Sequence, residues 1–287
     1  MQVTHNMLLP PYPLVSVIIP FLNEGNWLAE AVESVICQSY PHWEAILIDD
    51  GSEKESTNIA KEYSYRYPGK IIYTDHFRHR NKGVTISRNT GIRLSKGSFI
   101  AFLDADDCWL QEKLLHQLEL FKQHPKAEMV CEASRFWYSW NNPYGEDVVV
   151  NIGVKPDRLY NPPELIKNLY PLGRGAPPCP TSIMIKKETF NRSGGFEESF
   201  TGVYQLYEDQ AFLSKIYIHE NIYVSGTPNN LHRKRPGSLT EFANDEKHYK
   251  KVRLFFLDWI EEYVKQHHIE DDTLMQLITY ARINMNS

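Results

Sequence analysis

Three aspartates that follow a short apolar run are the residues best suited to chemistry. Gly97 to Trp109 reads GSFIAFLDADDCW, so Asp104, Asp106 and Asp107 come directly after Phe99 to Leu103. Such a run predicts a strand buried on both faces. Carboxylates crowded behind it repel one another unless a cation lies among them, and oxygen ligands favour Mg²⁺, Mn²⁺ or Ca²⁺. A metal site is one interpretation, and a solvated acidic turn is the alternative. The spacing lacks the Gly and Glu of an EF-hand calcium loop.

Two predicted strands upstream also end in polar residues. Leu14 to Pro20 is followed by Asn23 and Glu24, and Trp43 to Ile48 is followed by Asp49-Asp50. In open α/β sheets, ligands bind outside the carboxyl ends of the strands. We therefore expect the three polar strand ends to form one site.

Helices alternate with strands through residue 138, which predicts an α/β domain with a largely parallel sheet. The helices are predicted over Glu24 to Ser39, Glu55 to Tyr67, Asn81 to Ser95 and Leu110 to His124, and the remaining strands over Lys70 to Thr74 and Ala127 to Tyr138. The sequence after the first strand, PFLNEGN, has neither the G-x-G-x-x-G turn of a dinucleotide-binding domain nor a P-loop. A metal ion, together with a positively charged side chain such as that of Arg88, would have to bind a phosphate instead.

The pattern is less regular after residue 138. We predict a loop over Asn141 to Pro163, a strand over Thr181 to Ile185, a helix over Tyr207 to Ile218, a basic loop over Leu231 to Leu239, and two amphipathic helices, Glu246 to Gln266 and one beginning near Asp272. The apolar stripe of the first amphipathic helix favours packing on the domain, and a lipid surface or a partner is the alternative. Two roles are open for the aromatic residues Trp137, Tyr138 and Trp140. They could stack on a sugar ring, or they could pack in the core or on an edge strand.

Composition excludes several classes of protein. The 287 residues carry a net charge of −5, which argues against a nucleic-acid partner. The four cysteines form no C-x-x-C pair, so we expect neither zinc nor disulfides but a reducing compartment. No basic leader and no apolar run of about 18–20 residues is present. We therefore expect a cytoplasmic protein, and peripheral contact with the inner face of a membrane stays open.

Six segments in order along the chain carry a resemblance to a known family. VSVIIPFLNE, ILIDDGS, GVTISRNTGI, GSFIAFLDADD, SGGFEE and YEDQAF resemble the family 2 glycosyltransferases, which have the GT-A fold. The resemblance covers residues 14–240. It implies a mixed, mostly parallel sheet flanked by helices, with a nucleotide-binding half (14–138) and an acceptor half (139–240). An N-terminal extension (1–13) would precede this domain, and C-terminal amphipathic helices (241–287) would follow it.

The resemblance also implies an activity and roles for individual residues. The activity would be inverting transfer of a sugar from a nucleotide-diphosphate donor, most often a UDP-sugar, with Mn²⁺ or Mg²⁺ as cofactor. By this resemblance, Pro20, Asn23 and Glu24 would line the nucleoside pocket, and Asp50 would accept a hydrogen bond from the imide of the uracil ring. Arg88 would lie near the nucleotide or its diphosphate, and Asp104 would contact the ribose or the sugar. Asp106 would bind the metal, and Asp209 would be the catalytic base. A glycan or lipid-linked acceptor in cell-envelope or polysaccharide assembly would be typical.

One position departs from the family pattern. Many members have a histidine just before the Pro-Gly-Ser, where this chain has Arg235, with His232 three residues earlier. Either residue could contact the metal or the diphosphate, and Glu208 could contact the diphosphate or the acceptor. Glu208 and Asp209 could instead be the acidic first turn of a helix.

Two other functions stay open at this point. A sugar nucleotidyltransferase is disfavoured, because it should carry a glycine-rich, basic loop where PFLNEGN is acidic. A non-catalytic nucleotide-sugar-binding module is disfavoured by the intact acids.

Overall fold

The computed structural model describes residues 12–142, 144–235 and 246–283. The strands are β1 (Val15–Phe21), β2 (Trp43–Asp49), β3 (Ile71–Asp75), β4 (Phe99–Phe102), β5 (Cys108–Trp109), β6 (Met129–Glu132), β7 (Ser134–Trp137), β8 (Val148–Val150), β9 (Arg158–Tyr160), β10 (Ile183–Lys186), β11 (Ile222–Ser225) and β12 (Asn230–Arg233). The α-helices are α1 (Asn26–Ile36), α2 (Lys54–Arg66), α3 (Val84–Leu94), α4 (Lys113–Gln123), α5 (Glu164–Asn168), α6 (Lys187–Arg192), α7 (Glu208–His219), α8 (Glu246–Gln266) and α9 (Asp272–Ile283).

These strands form a large and a small sheet. The eight-stranded sheet has the order β3-β2-β1-β4-β10-β6-β11-β9, and the four-stranded sheet has the order β5-β12-β7-β8. In the large sheet β10 and β9 run antiparallel to their neighbours, whereas the other adjacent pairs are parallel. The predicted α/β class, with a mostly parallel sheet flanked by helices, is confirmed.

Strand β1 lies at the centre of the core because both of its faces are covered. All seven of its residues are buried, and it pairs in parallel with β2 and with β4. Val17 and Ile19 belong to one apolar cluster, with α1, α2 and α4, and Ile18 belongs to a second cluster on the opposite face. Each fully buried aliphatic side chain stabilises the fold by about 1.5–3 kcal/mol.

Helix α3 lies directly on this sheet at Gly91. A Cβ atom at this position would stand 2.6 Å from Cδ1 of Ile48 and 2.9 Å from Cγ2 of Ile18, so a side chain cannot be accommodated without displacing the core. Arg88 lies three residues earlier, on the same face of the helix. The close approach therefore brings the Arg88 side chain to the end of the sheet where β4 stops.

Helices α8 and α9 complete the second apolar cluster. Phe256 of α8 and Leu274 of α9 are fully buried there, together with residues of the large sheet. Tyr249 of α8 also forms a hydrogen bond of 2.7 Å with the hydroxyl of Tyr170, which bonds in turn to Tyr207, the residue just before α7. The apolar stripe predicted on Glu246 to Gln266 thus packs against the domain. Within the described ranges, no helix is long and apolar enough to cross a bilayer.

The structure corrects three sequence-based expectations. The single strand predicted over Ala127 to Tyr138 is two strands, because β6 is buried on both faces whereas β7 is half-exposed and joins the small sheet. The loop predicted over Asn141 to Pro163 contains β8 and β9. The basic loop predicted over Leu231 to Leu239 begins within β12, and its residues 236–239 lie outside the described part of the chain.

Candidate active site

Hydrogen bonds join the carboxyl ends of β1 and β2. Asn23 has a left-handed backbone (φ 59°), and its side-chain oxygen accepts from the N–H of Glu53 at 2.6 Å. The Asn23 N–H donates to the Ser52 hydroxyl at 3.1 Å. Pro20, the next-to-last residue of β1, is buried and pairs with Ile48 of β2. These contacts hold the predicted nucleoside-pocket residues against the loop that carries Asp50.

Asp50 fastens the loop before α3 to the end of β2. Its carboxylate accepts from the N–H of Lys82 at 2.6 Å and from that of Gly83 at 2.9 Å. The Nε2 atom of His76 is 3.4 Å away. Because a carboxylate has about four acceptor positions, Asp50 can accept a further bond. Its predicted contact with a uracil imide stays a prediction.

Arg88 is a buried charge that bridges β4 and α7. Its guanidinium is only 3% exposed and donates to Asp104 Oδ1 at 2.7 Å and, in a shorter contact, to Glu208 Oε1. Burial works against the charged form, yet the carboxylates of Glu208 and Asp104 hold the pKa of Arg88 above its usual range. Arg88 is thus paired with one buried acid, Glu208, and one half-buried acid, Asp104, and its predicted contact with the nucleotide stays a prediction.

The Glu208–Asp209 pair opens α7 and titrates near neutral pH. Burial raises the pKa of Glu208 to about 7, although the Arg88 charge opposes the shift. Burial likewise raises the pKa of Asp209 to about 6. Asp209 as a residue is half-buried, and its carboxylate accepts from the backbone N–H of Gln210 at 2.7 Å. A carboxylate with such a pKa is a stronger base than an ordinary aspartate and is still ionised at pH 7.

Asp107, the third acid after β4, has a structural role that the sequence did not reveal. It accepts from the Thr181 hydroxyl at 2.7 Å, from the N–H of Arg233 at 2.9 Å and from Nδ1 of His232 at 3.2 Å. Burial alone would lower the pKa of His232, but the Asp107 carboxylate raises it overall. Asp107 therefore fastens β12 to the turn after β4, and His232 contacts Asp107 rather than Asp106.

Arg235 brings a guanidinium to two predicted site residues. Its Nε donates to Asp106 Oδ2 at 2.9 Å, and its Nη2 lies 3.1 and 3.2 Å from the carboxylate oxygens of Glu24. Burial, followed by the Asp107 and Asp104 charges, raises the pKa of Asp106. Burial and the Asp106 charge raise the pKa of Glu24 to about 7. The Arg235 charge lowers both pKa values but does not offset burial and the neighbouring acids.

The acid cluster offers oxygen ligands suited to Mg²⁺ or Mn²⁺. Asp104 and Asp106 each bind an arginine through one carboxylate oxygen, and within the described ranges the other oxygen accepts no hydrogen bond. No group of three or more His, Cys, Asp or Glu side chains is arranged to hold a metal among residues 12–142, 144–235 and 246–283. One or two carboxylates completed by substrate phosphates is the usual protein environment of Mg²⁺, so the residues fit a nucleotide-bound cation.

Aromatic side chains surround the two arginines that β12 brings to the site. Arg233 lies 4.4 Å from the Trp137 ring and 5.0 Å from the Trp140 ring, and it pairs with Glu30 at 2.5 Å. Arg235 lies 4.5 Å from the ring of Trp27. The structure therefore gives Trp137 and Trp140 contacts with an arginine. The basic run LHRKR was the sequence signal for this corner of the site.

A comparison with known families decides the assignment. Residues 16–193 of the 287 match the sequence model described as Glycosyl transferase family 2. The chain belongs to this family. The resemblance seen in the sequence motifs is thereby confirmed.

One relative with a similar sequence is the putative teichuronic acid biosynthesis glycosyltransferase TuaG of Bacillus subtilis. It is 38% identical over 117 residues, which cover 40% of this chain and 44% of TuaG. The chain thus spans less than half the length of this relative.

Solved structures similar to this family 2 chain show the fold. TarS 1-349 of S. aureus, in complex with UDP, superimposes with a TM-score of 0.62 at 17% identity, covering 85% of this chain and 64% of that one. The mannosyltransferase PcManGT from Pyrobaculum calidifontis, in complex with GDP-Man and Mn²⁺, gives a TM-score of 0.56 at 16% identity, covering 94% of this chain and 74% of that one. The predicted GT-A fold is confirmed.

Proposed function

We propose that the protein is a metal-dependent, inverting glycosyltransferase. It moves a sugar from a nucleotide-diphosphate donor, a UDP-sugar, to a hydroxyl of a glycan or lipid-linked acceptor. One observation carries this proposal: Asp209, with a pKa raised to about 6, is joined to the acid cluster through Glu208, Arg88 and Asp104. A base for the acceptor and acids for the donor thus share one rigid frame.

The chemistry needs a base and a neutralised leaving group. Asp209 takes the proton of the acceptor hydroxyl while its oxygen forms a bond to the anomeric carbon, and the bond from that carbon to the diphosphate breaks. Attack opposite the leaving group inverts the anomeric centre, as in inverting hydrolases, where water is the nucleophile. Arg88 keeps the Glu208–Asp209 turn in place. A divalent cation held by Asp106 would supply charge neutralisation at the diphosphate.

The proposed donor rests on this site and on its relatives. TarS 1-349 forms a complex with UDP, and PcManGT forms a complex with GDP-Man and Mn²⁺. In this chain, Asp50 retains acceptor capacity for an imide N–H, with Pro20, Asn23 and Glu24 beside it. We propose UDP as the nucleotide, Mn²⁺ or Mg²⁺ as the cofactor, and Asp104 as the residue that contacts the ribose or the sugar.

The proposed acceptor and location rest on indirect support. TuaG is named for teichuronic acid biosynthesis, so we propose a role in the assembly of a cell-envelope polysaccharide. All four cysteines are free thiols, which suits the reducing cytoplasm that we propose as the location. We also propose that residues 14–138 bind the donor, that residues 139–240 bind the acceptor, and that the helices after residue 240 support both halves.

A binding screen and one variant test the proposal. Thermal unfolding should show stabilisation by UDP with Mn²⁺ beyond that by GDP, dTDP or CDP, because a ligand of the native state raises the melting temperature. The D209N variant should retain this stabilisation but lose transfer by about 10²–10⁴-fold. D258N, which removes an exposed carboxylate from α8, is the matched control and should transfer normally.

Two outcomes would contradict the proposal. Transfer by D209N at a near wild-type rate would remove Asp209 as the base. Absence of stabilisation by every nucleotide would remove the donor site itself.

A further inference from the structure

We propose that Arg235 is an internal counter-ion of the donor-free enzyme, which a metal ion and the donor diphosphate displace together. The inference deepens the function proposed above and rests on its metal site at Asp106. Its consequence is that the protein binds Mn²⁺ weakly until a nucleoside diphosphate is present.

The contacts of Arg235 place its positive charge on the carboxylate that an incoming cation would bind. Its guanidinium spans Asp106 and Glu24, with N–O distances of 2.9 Å to the first and of 3.1 and 3.2 Å to the second. The ring of Trp27 supports its other face at 4.5 Å. A divalent cation on the Oδ2 atom of Asp106 would need the position of this guanidinium, and a cation on the open Oδ1 atom would be repelled by its positive charge. Binding of the metal therefore requires Arg235 to move or to share the carboxylate.

The other cations at the acid cluster are fixed in place. Arg88 is buried between Asp104 and Glu208. Arg233 has a side chain that is 1% exposed and is held by Glu30 and by the main-chain oxygen of Asp106. The Arg235 side chain is 19% exposed and lies two residues beyond the end of β12. Of these three arginines, Arg235 is thus the one that can move without leaving a buried charge unpaired.

A diphosphate gives Arg235 a new partner. The planar guanidinium binds phosphate oxygens with two parallel hydrogen bonds, as it binds carboxylates. When donor and metal arrive together, the metal replaces the guanidinium at Asp106 and the guanidinium moves to the diphosphate. If only a small fraction of the free enzyme has Asp106 open, the apparent metal affinity falls by that fraction. Couplings of this kind are typically about 5–150-fold.

The test measures Mn²⁺ binding, by electron paramagnetic resonance of free Mn²⁺, with and without UDP. In the wild type, UDP should tighten Mn²⁺ binding by about tenfold or more. R235Q should bind Mn²⁺ without UDP about fivefold or more tightly than the wild type, because Asp106 is open, and its response to UDP should shrink accordingly.

Lys234→Gln is the matched control because it removes the same charge one residue away. Lys234 lies 3.7 Å from the Phe136 ring and makes no ion pair within the described ranges. K234Q should change Mn²⁺ affinity less than about twofold, since it leaves Asp106 occupied. An equal gain in Mn²⁺ affinity in K234Q and R235Q would contradict the inference and would indicate a long-range effect of charge instead.

The outcomes also separate this inference from the proposed function. If R235Q binds Mn²⁺ no more tightly than the wild type, while UDP still promotes Mn²⁺ binding, the counter-ion role is wrong and the metal site stands. If no variant binds Mn²⁺, with or without UDP, the metal site is wrong and the inference is wrong with it. Melting temperatures of R235Q and R235K, measured in the same buffers, establish that the variants are folded.

Discussion

Replacing Arg88 by methionine tests the buried charge network that joins the acid cluster to α7. Methionine fills a similar volume but leaves Glu208 and Asp104 without their cation. Removing one partner of a buried ion pair typically costs about 3–5 kcal/mol of unfolding free energy. A carboxyl group avoids part of this cost by binding a proton, and Glu208 already has a pKa of about 7 with Arg88 present.

The cost of the R88M substitution should therefore depend on pH. Loss of the guanidinium raises the folded-state pKa of Glu208 further above its unfolded value, so the variant loses stability as the pH rises. At about pH 5.5 Glu208 is protonated with or without Arg88, and the loss reduces to the hydrogen bonds that Arg88 makes with Glu208 and Asp104, about 1.5–3 kcal/mol. At about pH 8.5, which is 1.5 units above the wild-type pKa of Glu208, the variant still has to keep Glu208 protonated, and this adds roughly 2 kcal/mol to the loss.

Urea unfolding of R88M and the wild type at the two pH values measures this difference. R282M is the control, because Arg282 makes partly exposed ion pairs with Asp258 and Glu261 and should cost at most about 1 kcal/mol. A loss in R88M that is equal at both pH values, within about 0.5 kcal/mol, would refute the assignment of Glu208 as the group left without a partner.

Two further predictions concern the base and the C-terminal helices. The kcat/KM for transfer should fall about tenfold per pH unit below about pH 6, because Asp209 must be ionised to accept a proton and its pKa is raised to about 6; initial rates that stay constant down to about pH 5 would contradict this. Phe256→Ala should cost about 3–5 kcal/mol in urea unfolding because that side chain is fully buried, whereas Tyr280→Ala, at a ring that is 58% exposed, should cost less than about 0.5 kcal/mol.

The sequence predicted the centre of the fold well because burial leaves a strong local signature. Strands β1, β2 and β4 are buried on both faces, and each contains an apolar run of at least four residues. Helix α8 was predicted with the bounds it has in the structure, since its apolar side chains recur at helical spacing. The acids of the site were found because they follow these well-marked strands.

The small sheet could not be predicted because its strands depend on distant partners. Strand β5 has two residues, Cys108 and Trp109, and these pair with Leu231 and Asn230. Two residues are too few to show an alternation of apolar and polar side chains. Whether such a short segment forms a strand depends on the side chains that pack against it. The contact between Arg235 and Asp106 joins positions 129 residues apart, through a side chain whose direction the sequence does not specify. The structural role of Asp107 was hidden for the same reason.

The docking of α8 and α9 has a consequence for the order in which the protein folds during synthesis. The apolar cluster that contains Ile18, near the start of the chain, also contains three residues of α8: Val252, Phe256 and Ile260. Contacts so far apart in sequence form late, because a long loop must close first. A nascent chain with residues 14–235 outside the ribosome has strands β1 to β12 but still exposes this cluster. Tyr207, beside the proposed base, then lacks its neighbour Tyr249. The end of α7 that carries the proposed base is therefore completed only when α8 docks, so we expect a chain that ends before α8 to lack the proposed transfer activity.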